Sequence, residues 1–479
     1  MVDQPIKTIA IIGGGITGLA SAYYLQKRLK QEGLPHEVLL IEADPRLGGK
    51  IKTTVKDGFI IERGPESFPA QNSHVVRLAR EVGMEEQLVS MKDGGLSVLV
   101  RETLYPLPKG TLIGIPMQLA PFLRTQSISL FGKLRAVADL ILPRSKEKKD
   151  QSFGGFIRRR LGDEVFENLT EPVLSNIVAG DLDGISLIST FPDFYETQQK
   201  HRSLIMGLKK NTASKEHSTT RSDQQTFKAG MESFIQAIEG KLAPETFLKG
   251  VRVREIDKVN DEYVIQLNNN STVHAASVIV ATPHQASYNM FANYPYFDML
   301  REMSAISVAT ISLAFDEDAF NVELVGSGFV VSRNSDYTVT CCSYTHKKWP
   351  HMTPAGKILL RCYIGRSGDE TVVDLSDEEI IRIVLDDLNK TMSITKEPDF
   401  ALISRWKKTM PQYTVGHKEK VEQLKKSIRT ELPGVFLAGS SYDGFSLPDC
   451  IGQSEKVVKE VFDFIQQVDA TPIKTVSVH

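Results

Sequence analysis

The chain has 479 residues, which at about 150 residues per domain suggests roughly three domains. Hydrophobic residues make up 41% and charged residues 24%, the balance of a soluble globular protein, which excludes collagen-like and low-complexity designs. Lys+Arg 57 against Asp+Glu 59 leaves a formal net charge of −2, without the basic excess of a nucleic-acid binder.

Thr8–Ile12 reads as a short apolar strand, Gly13–Gly18 as a turn, and Leu19, Ala20 and Tyr23 follow at helical spacing. Val38–Ile41 is a second buried strand, so the start of the chain is a βαβ unit. Its continuous apolar runs predict a parallel sheet covered on both faces. Residues 74–210 read as mainly helical, with part of 85–110 joining a later sheet. This stretch carries basic clusters at Arg144–Lys149 and Arg158–Arg160, the latter read as a solvated helix face. Gly110–Leu123 is uncharged and holds Ile113, Ile115, Met117, Leu119 and Phe122 among Pro116 and Pro121. It is too short and proline-rich to span a bilayer, and reads as a buried loop or lid before a membrane-touching surface.

Asn211–Thr226 has almost no apolar side chain and is expected to be a mobile loop. Strand patterns return at Val251–Val253, Tyr263–Leu267 and Val278–Ala281, then at Gly328–Val331, Tyr337–Cys342 and Ile358–Ile364. Ser376 and Glu379 form a capping box for a helix that buries Ile380, Ile381, Val384, Leu385 and Leu388. The tail is a strand at Val435–Ala438, a turn at Gly439, and a helix burying Val457, Val458, Val461 and Ile465. Cys341, Cys342, Cys362 and Cys450 are too few and scattered for a disulfide framework, and no Cys-x-x-Cys or His-Glu-x-x-His occurs. With no secretory leader and no long apolar run, the expectation is a cytoplasmic protein without a metal or a transmembrane segment.

Gly13-Gly14-Gly15-Ile16-Thr17-Gly18 matches G-x-G-x-x-G between a strand and a helix. The first glycine permits the tight turn, the second lets a pyrophosphate approach the backbone, and the third allows close helix–strand packing. Glu42 closes the next strand, where a carboxylate accepts a ribose hydroxyl and repels a 2′-phosphate, so NADP is disfavoured. The competing reading, a glycine-rich turn with a surface glutamate, explains less of the joint match. Arg46-Leu47-Gly48-Gly49-Lys50 adds a second glycine pair that a plain NAD fold does not need. The turn-rich Glu62–Phe68 follows, and Gly439–Gly444 with Leu447–Ser454 opens the final helix. A helix N-terminus aimed at a flavin pyrimidine would stabilise negative charge on it, so FAD is favoured over NAD.

These motifs, with Val278–Pro283, Trp406, Pro411-Gln412-Tyr413 and Leu437-Ala438-Gly439, resemble the FAD-dependent amine-oxidase-type superfamily. Glu62–Phe68, Glu171–Ser175, Ala179–Asp181 and Met410–Tyr413 are similar to protoporphyrinogen and coproporphyrinogen oxidases, the soluble Gram-positive bacterial enzymes in particular. The resemblance implies a mixed α/β fold: a Rossmann-like FAD-binding domain of the amine oxidase/p-hydroxybenzoate hydroxylase type, a sheet-based substrate domain and a helical domain. The boundaries are 1–73, 227–290 and 401–479 for a discontinuous FAD domain, 74–210 for the helical domain, 211–226 for the loop and 291–400 for the substrate domain.

The resemblance further implies noncovalent FAD held by Gly13, Gly14, Gly15, Ile16, Thr17, Gly18, Glu42, Ala43, Lys50, Gly64, Pro65, Glu66, Ser67, Val253, Trp406, Gly439, Ile451, Gly452 and Gln453. Ile177 and Tyr363 would line the tetrapyrrole pocket, with ordinary core packing as the alternative. Ser440 stands where many flavoproteins have an aspartate, which removes an acidic ribitol contact. The implied reaction is a six-electron oxidation of coproporphyrinogen III, with protoporphyrinogen IX as alternative substrate, dioxygen as acceptor and hydrogen peroxide as product. No acid–base residue is assigned. Peripheral membrane contact is left open, and an amine oxidase, a flavin-free binding protein and an NAD dehydrogenase stand as competing readings.

Overall fold

The computed structural model describes residues 7–70, 73–92, 94–144, 149–214 and 224–469. Its first sheet is entirely parallel, in the order Phe247–Lys249, His36–Glu42, Lys7–Ile12, Ser277–Val280, Val435–Leu437. The apolar run of the first strand is explained by burial on both sides. Ile9 and Ile11 pack with Leu19, Leu25, Val461 and Ile465, whereas Ala10 and Ile12 pack with Tyr263, Ile265 and Leu267. Helices Ile16–Glu32 and Leu447–Asp469 therefore cover one face. The antiparallel sheet of Val253–Val259, Glu262–Leu267 and Thr272–Ala275 covers the other.

A seven-stranded sheet runs Phe400–Pro411, Ala305–Asp316, Lys357–Ile364, Val339–Tyr344, Gly328–Val331, Ser97–Val100, Thr103–Pro106. Strand alternation divides its side chains between two cores. Cys342, Leu360 and Val331 pack with Ile380, Val384, Leu388 and Met392 of the capped helix Asp377–Met392. Cys341, Val330 and Val98 face the helical layer built on Phe122, Phe153, Phe156, Phe166 and Leu174.

Several expectations change in detail. Ile381 and Leu385 are only partly buried, and Asp387 and Met392 take the remaining inward positions. Residues 211–226 are not one loop: a helix continues to Ser214 and a strand occupies Gln224–Phe227, with 215–223 outside the described residues. The strand Phe400–Pro411 pairs with Ala305–Asp316 at the edge of the large sheet, so residues 401–411 belong to that sheet's hydrogen-bond network. Gly110–Leu123 forms a small hairpin, Thr111–Leu112 with Ile115–Pro116, and the start of helix Leu119–Arg124; Ile115 and Phe122 are buried.

Candidate active site

The first glycine loop is shaped by close backbone contacts. Gly13 has φ +104°, and a Cβ on Gly18 would lie 1.8 Å from Gly13 O, so a side chain there has no room. A Cβ on Gly15 would meet nothing within 4 Å. That open space lies at the N-terminus of helix Ile16–Glu32, which no side chain caps, so its first-turn amides are available to an anion. The second glycine pair buttresses this loop: Gly48 N–H donates to Gly14 O at 2.8 Å, and a Cβ on Gly49 would meet Gly15 Cα at 3.4 Å.

Glu42 accepts from Gly14 N–H at 2.5 Å and Asp44 N–H at 2.8 Å, which orients its carboxylate at the sheet edge. Ala43 beside it is exposed. Val251 N–H donates to Glu42 O at 3.0 Å, bringing Val253 alongside. At the other end, Gln453 closes the last turn by accepting from Gly439 N–H at 2.9 Å and donating to Gly444 O at 3.0 Å. Ser454 donates to Thr17 O at 2.8 Å, so the two glycine-bearing helix starts meet. Ile451 is fully buried between them, and a Cβ on Gly452 would touch the His74 ring at 3.2 Å.

Lys50 crosses between the ends, donating to Thr409 O at 2.6 Å and Ser440 Oγ at 3.5 Å, and burial lowers its pKa. Tyr413 donates to Ser440 O at 2.8 Å and stacks on His417 with centroids 4.0 Å apart; burial lowers the His417 pKa. Trp406 Nε1 donates to Arg63 O at 2.9 Å, and a Cβ on Gly64 would lie 1.7 Å from Lys50 O. Pro65 and Ser67 continue this turn, Ser67 donating to Gln224 Oε1 at 3.2 Å.

The Glu66 side chain points away from these groups. Lys348 Nζ lies 2.8 Å from one carboxylate oxygen and Arg361 Nη1 3.5 Å from the other, and Trp349 Nε1 also donates to it. Burial alone raises a carboxylate, but the two cations outweigh it and hold Glu66 at about 2. Glu62, one helical turn's worth of sequence earlier, is pushed up to about 7 by burial despite accepting from Met231 N–H and Thr53 Oγ1. Sequence reasoning missed Lys348 and Arg361, because nothing local marks residues that meet Glu66 only across the fold.

The helix Glu171–Val178 ends at Ala179 in left-handed conformation, φ +54°. Gln412 Nε2 donates to Val178 O at 3.0 Å and Ser367 N–H to Ala179 O at 3.1 Å. Ile177 is 46% exposed although Leu174, Val178 and Ala179 are buried, so it faces open space rather than core. Tyr363 is half-buried on the neighbouring strand and packs against the helical layer, with the Arg361 guanidinium 5.1 Å over its ring. The cluster Arg158–Arg160 is not a free basic face. Arg158 pairs with Asp163, Glu167 and Asp183, and Arg160 is buried against Asp139.

Glycine-bounded helix starts at the carboxyl edge of a parallel sheet define a dinucleotide-binding fold. The chain belongs to the flavin containing amine oxidoreductase family, whose model matches residues 16–462, and it uses a flavin cofactor. It is 47% identical over 463 residues to coproporphyrinogen III oxidase of Bacillus subtilis, covering 96% of this chain and 98% of that one. It is 40% identical to coproporphyrinogen III oxidase of Staphylococcus aureus, covering 95% and 99% of the two chains. A crystal structure from Exiguobacterium, of a protein assigned as a protoporphyrinogen oxidase, superposes with TM-score 0.86 at 32% identity, covering 95% and 98%.

Proposed function

We propose that the chain is an FAD-dependent coproporphyrinogen III oxidase of haem biosynthesis. It removes six electrons from coproporphyrinogen III to form coproporphyrin III, while three dioxygen molecules become three hydrogen peroxide. The observation that carries this is the 47% likeness over nearly the whole of both chains to a coproporphyrinogen III oxidase.

The residues present fit FAD. The Gly13–Gly18 amides would take the pyrophosphate at the open face of Gly15, and Glu42 and Val253 the adenosine half. Lys50, Gly64–Ser67, Trp406, Gly439 and Ile451–Gln453 would surround the flavin half. Glu66 contributes backbone only, since its carboxylate is engaged elsewhere. The thiol nearest this site, Cys450, is buried and pushed up to about 11, which keeps it protonated and unreactive toward a flavin. Binding is therefore read as noncovalent, and acid precipitation should leave the flavin in the supernatant.

When bound, the isoalloxazine supplies a two-electron acceptor that dioxygen reoxidises. The chain's own part is to hold a meso C–H of the macrocycle in place and exclude water, with Ile177 and Tyr363 as apolar walls. No residue is assigned as acid or base: His284 and His417 are buried with lowered pKa values and hydrogen-bond to backbone carbonyls. Anaerobic mixing with coproporphyrinogen III should bleach the flavin, and an unchanged flavin spectrum overturns the reading. Protoporphyrinogen IX is the second reading, supported by the likeness to the Exiguobacterium structure, and relative turnover on the two substrates decides.

The FAD-binding unit is read as 1–73, 227–290 and 401–479 and the substrate unit as 291–400, the strand Phe400–Pro411 joining the FAD unit to the substrate sheet. No described helix is long and apolar enough to cross a membrane. The protein is read as cytoplasmic with peripheral membrane contact, supported by helix Leu130–Val137, where Leu130, Phe131 and Leu134 are 71%, 85% and 61% exposed beside Lys133.

A further inference from the structure

Beyond Ile177 and Tyr363, the same corner of the fold holds a group of buried and half-buried charges. Glu171 opens the helix that carries Ile177, and its carboxylate is almost completely buried. Arg333 Nε donates to one of its oxygens at 2.5 Å, and the other oxygen is buried without a hydrogen-bond partner. Arg366, three residues beyond Tyr363, is 9% exposed and close enough to Arg333 and Glu171 for both to perturb it. Its guanidinium makes no hydrogen bond within the described residues; the nearest carboxylate is Asp369, 53% exposed at its side chain and 3.9 Å away. The backbone ties this segment to the end of the helix that carries Ile177, since Ser367 N–H donates to Ala179 O, two residues past Ile177.

Arg333 is thus paired with the buried Glu171 carboxylate, whereas Arg366 keeps its planar fork of donors unused. Buried charges are ordinarily paired, and an Arg fork matches a carboxylate bidentately. We propose that Arg366, supported by Arg333, receives a carboxylate of the substrate, and that this contact selects porphyrinogens by the number and placement of their propionates. The inference rests on the porphyrinogen reading above. Asp369 is the internal competitor that the substrate carboxylate displaces, and Glu171 holds Arg333 in place without neutralising Arg366. Arg158 and Arg160 cannot serve here, because each is paired with carboxylates inside the fold.

The test uses the flavin-loaded protein and equilibrium binding of coproporphyrin III and its tetramethyl ester, read by quenching of porphyrin fluorescence in one detergent buffer. Arg366→Gln should raise the Kd for coproporphyrin III about tenfold, leave that for the ester within twofold, and lower kcat/KM for coproporphyrinogen more than for protoporphyrinogen. Arg366→Lys should recover part of the loss. Equal effects on acid and ester, or no effect on either, overturn the proposal. Asp369→Asn, at an exposed position that does not endanger folding, should tighten coproporphyrin III two- to threefold; unchanged affinity counts against the proposal even if Arg366→Gln does not fold. If the wild-type flavin is not reduced by coproporphyrinogen, the functional reading fails, whereas the acid–ester difference still reports on Arg366.

Discussion

Replacing Lys348 by Met tests the buried charges beneath the Gly64–Ser67 turn. In the wild type, Glu66 faces Lys348 at 2.8 Å and Arg361 at 3.5 Å, and neither Lys348 nor Glu66 is more than 8% exposed at its side chain. The fall of the Glu66 pKa from 4.5 to about 2 corresponds to about 3 kcal/mol of differential stabilisation of the ionised form. Removing one partner of such a pair costs about 3–5 kcal/mol, because the remaining charge stays buried without its counterion. Lys348 also donates to Ser343 Oγ at 3.1 Å, which Met cannot replace. The expected outcome is an apparent Tm lowered by about 3–5 °C at pH 7, followed by circular dichroism and by flavin release.

Adding Glu66→Gln to Lys348→Met should restore much of that loss, since the unpaired charge is gone. The depressed pKa sets the pH dependence. The stabilisation is complete above 4.5 and disappears as pH falls through about 2, so wild type should lose stability over that window and the double variant should not. If Lys348→Met melts within 2 °C of wild type, or the second substitution lowers stability further, the electrostatic account is wrong.

Glu62 carries the opposite sign: its pKa is raised to about 7, so its contribution is complete below 4.5 and lost as pH rises through 7. Glu62→Gln should therefore gain up to about 3 kcal/mol over wild type at pH 8.5 and nothing at pH 4.5, measured by denaturant unfolding; an equal gain at both refutes the assignment. Gly15→Ala should leave the apoprotein Tm unchanged but weaken FAD at least tenfold, whereas Gly18→Ala, with its Cβ 1.8 Å from Gly13 O, should destabilise the fold itself; flavin titration and apoprotein melting separate the two. Phe131→Glu should at least halve cosedimentation with anionic vesicles while leaving turnover unchanged, and unaltered binding removes helix Leu130–Val137 from any membrane contact.

Sequence reading finds features carried by neighbouring residues. The Gly13–Gly18 turn, the capping box at Ser376 and the inward stripe Val457, Val458, Val461, Ile465 each have a local physical cause, and each appears where the pattern places it. Longer strands were harder. Ala305–Asp316 went unread because it is buried through most of its length on both faces, so it lacks the alternation that marks a half-exposed strand. Glu66 illustrates a different limit, since its backbone lies in a recognisable turn while its carboxylate is claimed by residues nearly 300 positions away.

By itself, then, the sequence determined the dinucleotide-binding entry, the parallel sheet and the family, because backbone conformation and short-range spacing encode them. Net charge near zero left the partner open. Only the tertiary structure decided which charges are spent within the fold and which are not. It neutralises Arg158 and buries Arg160 against Asp139, while Arg366, three residues past Tyr363, makes no hydrogen bond among the described residues. Charge compensation acts through space over a few ångströms, between residues whose separation along the chain carries no information about their meeting.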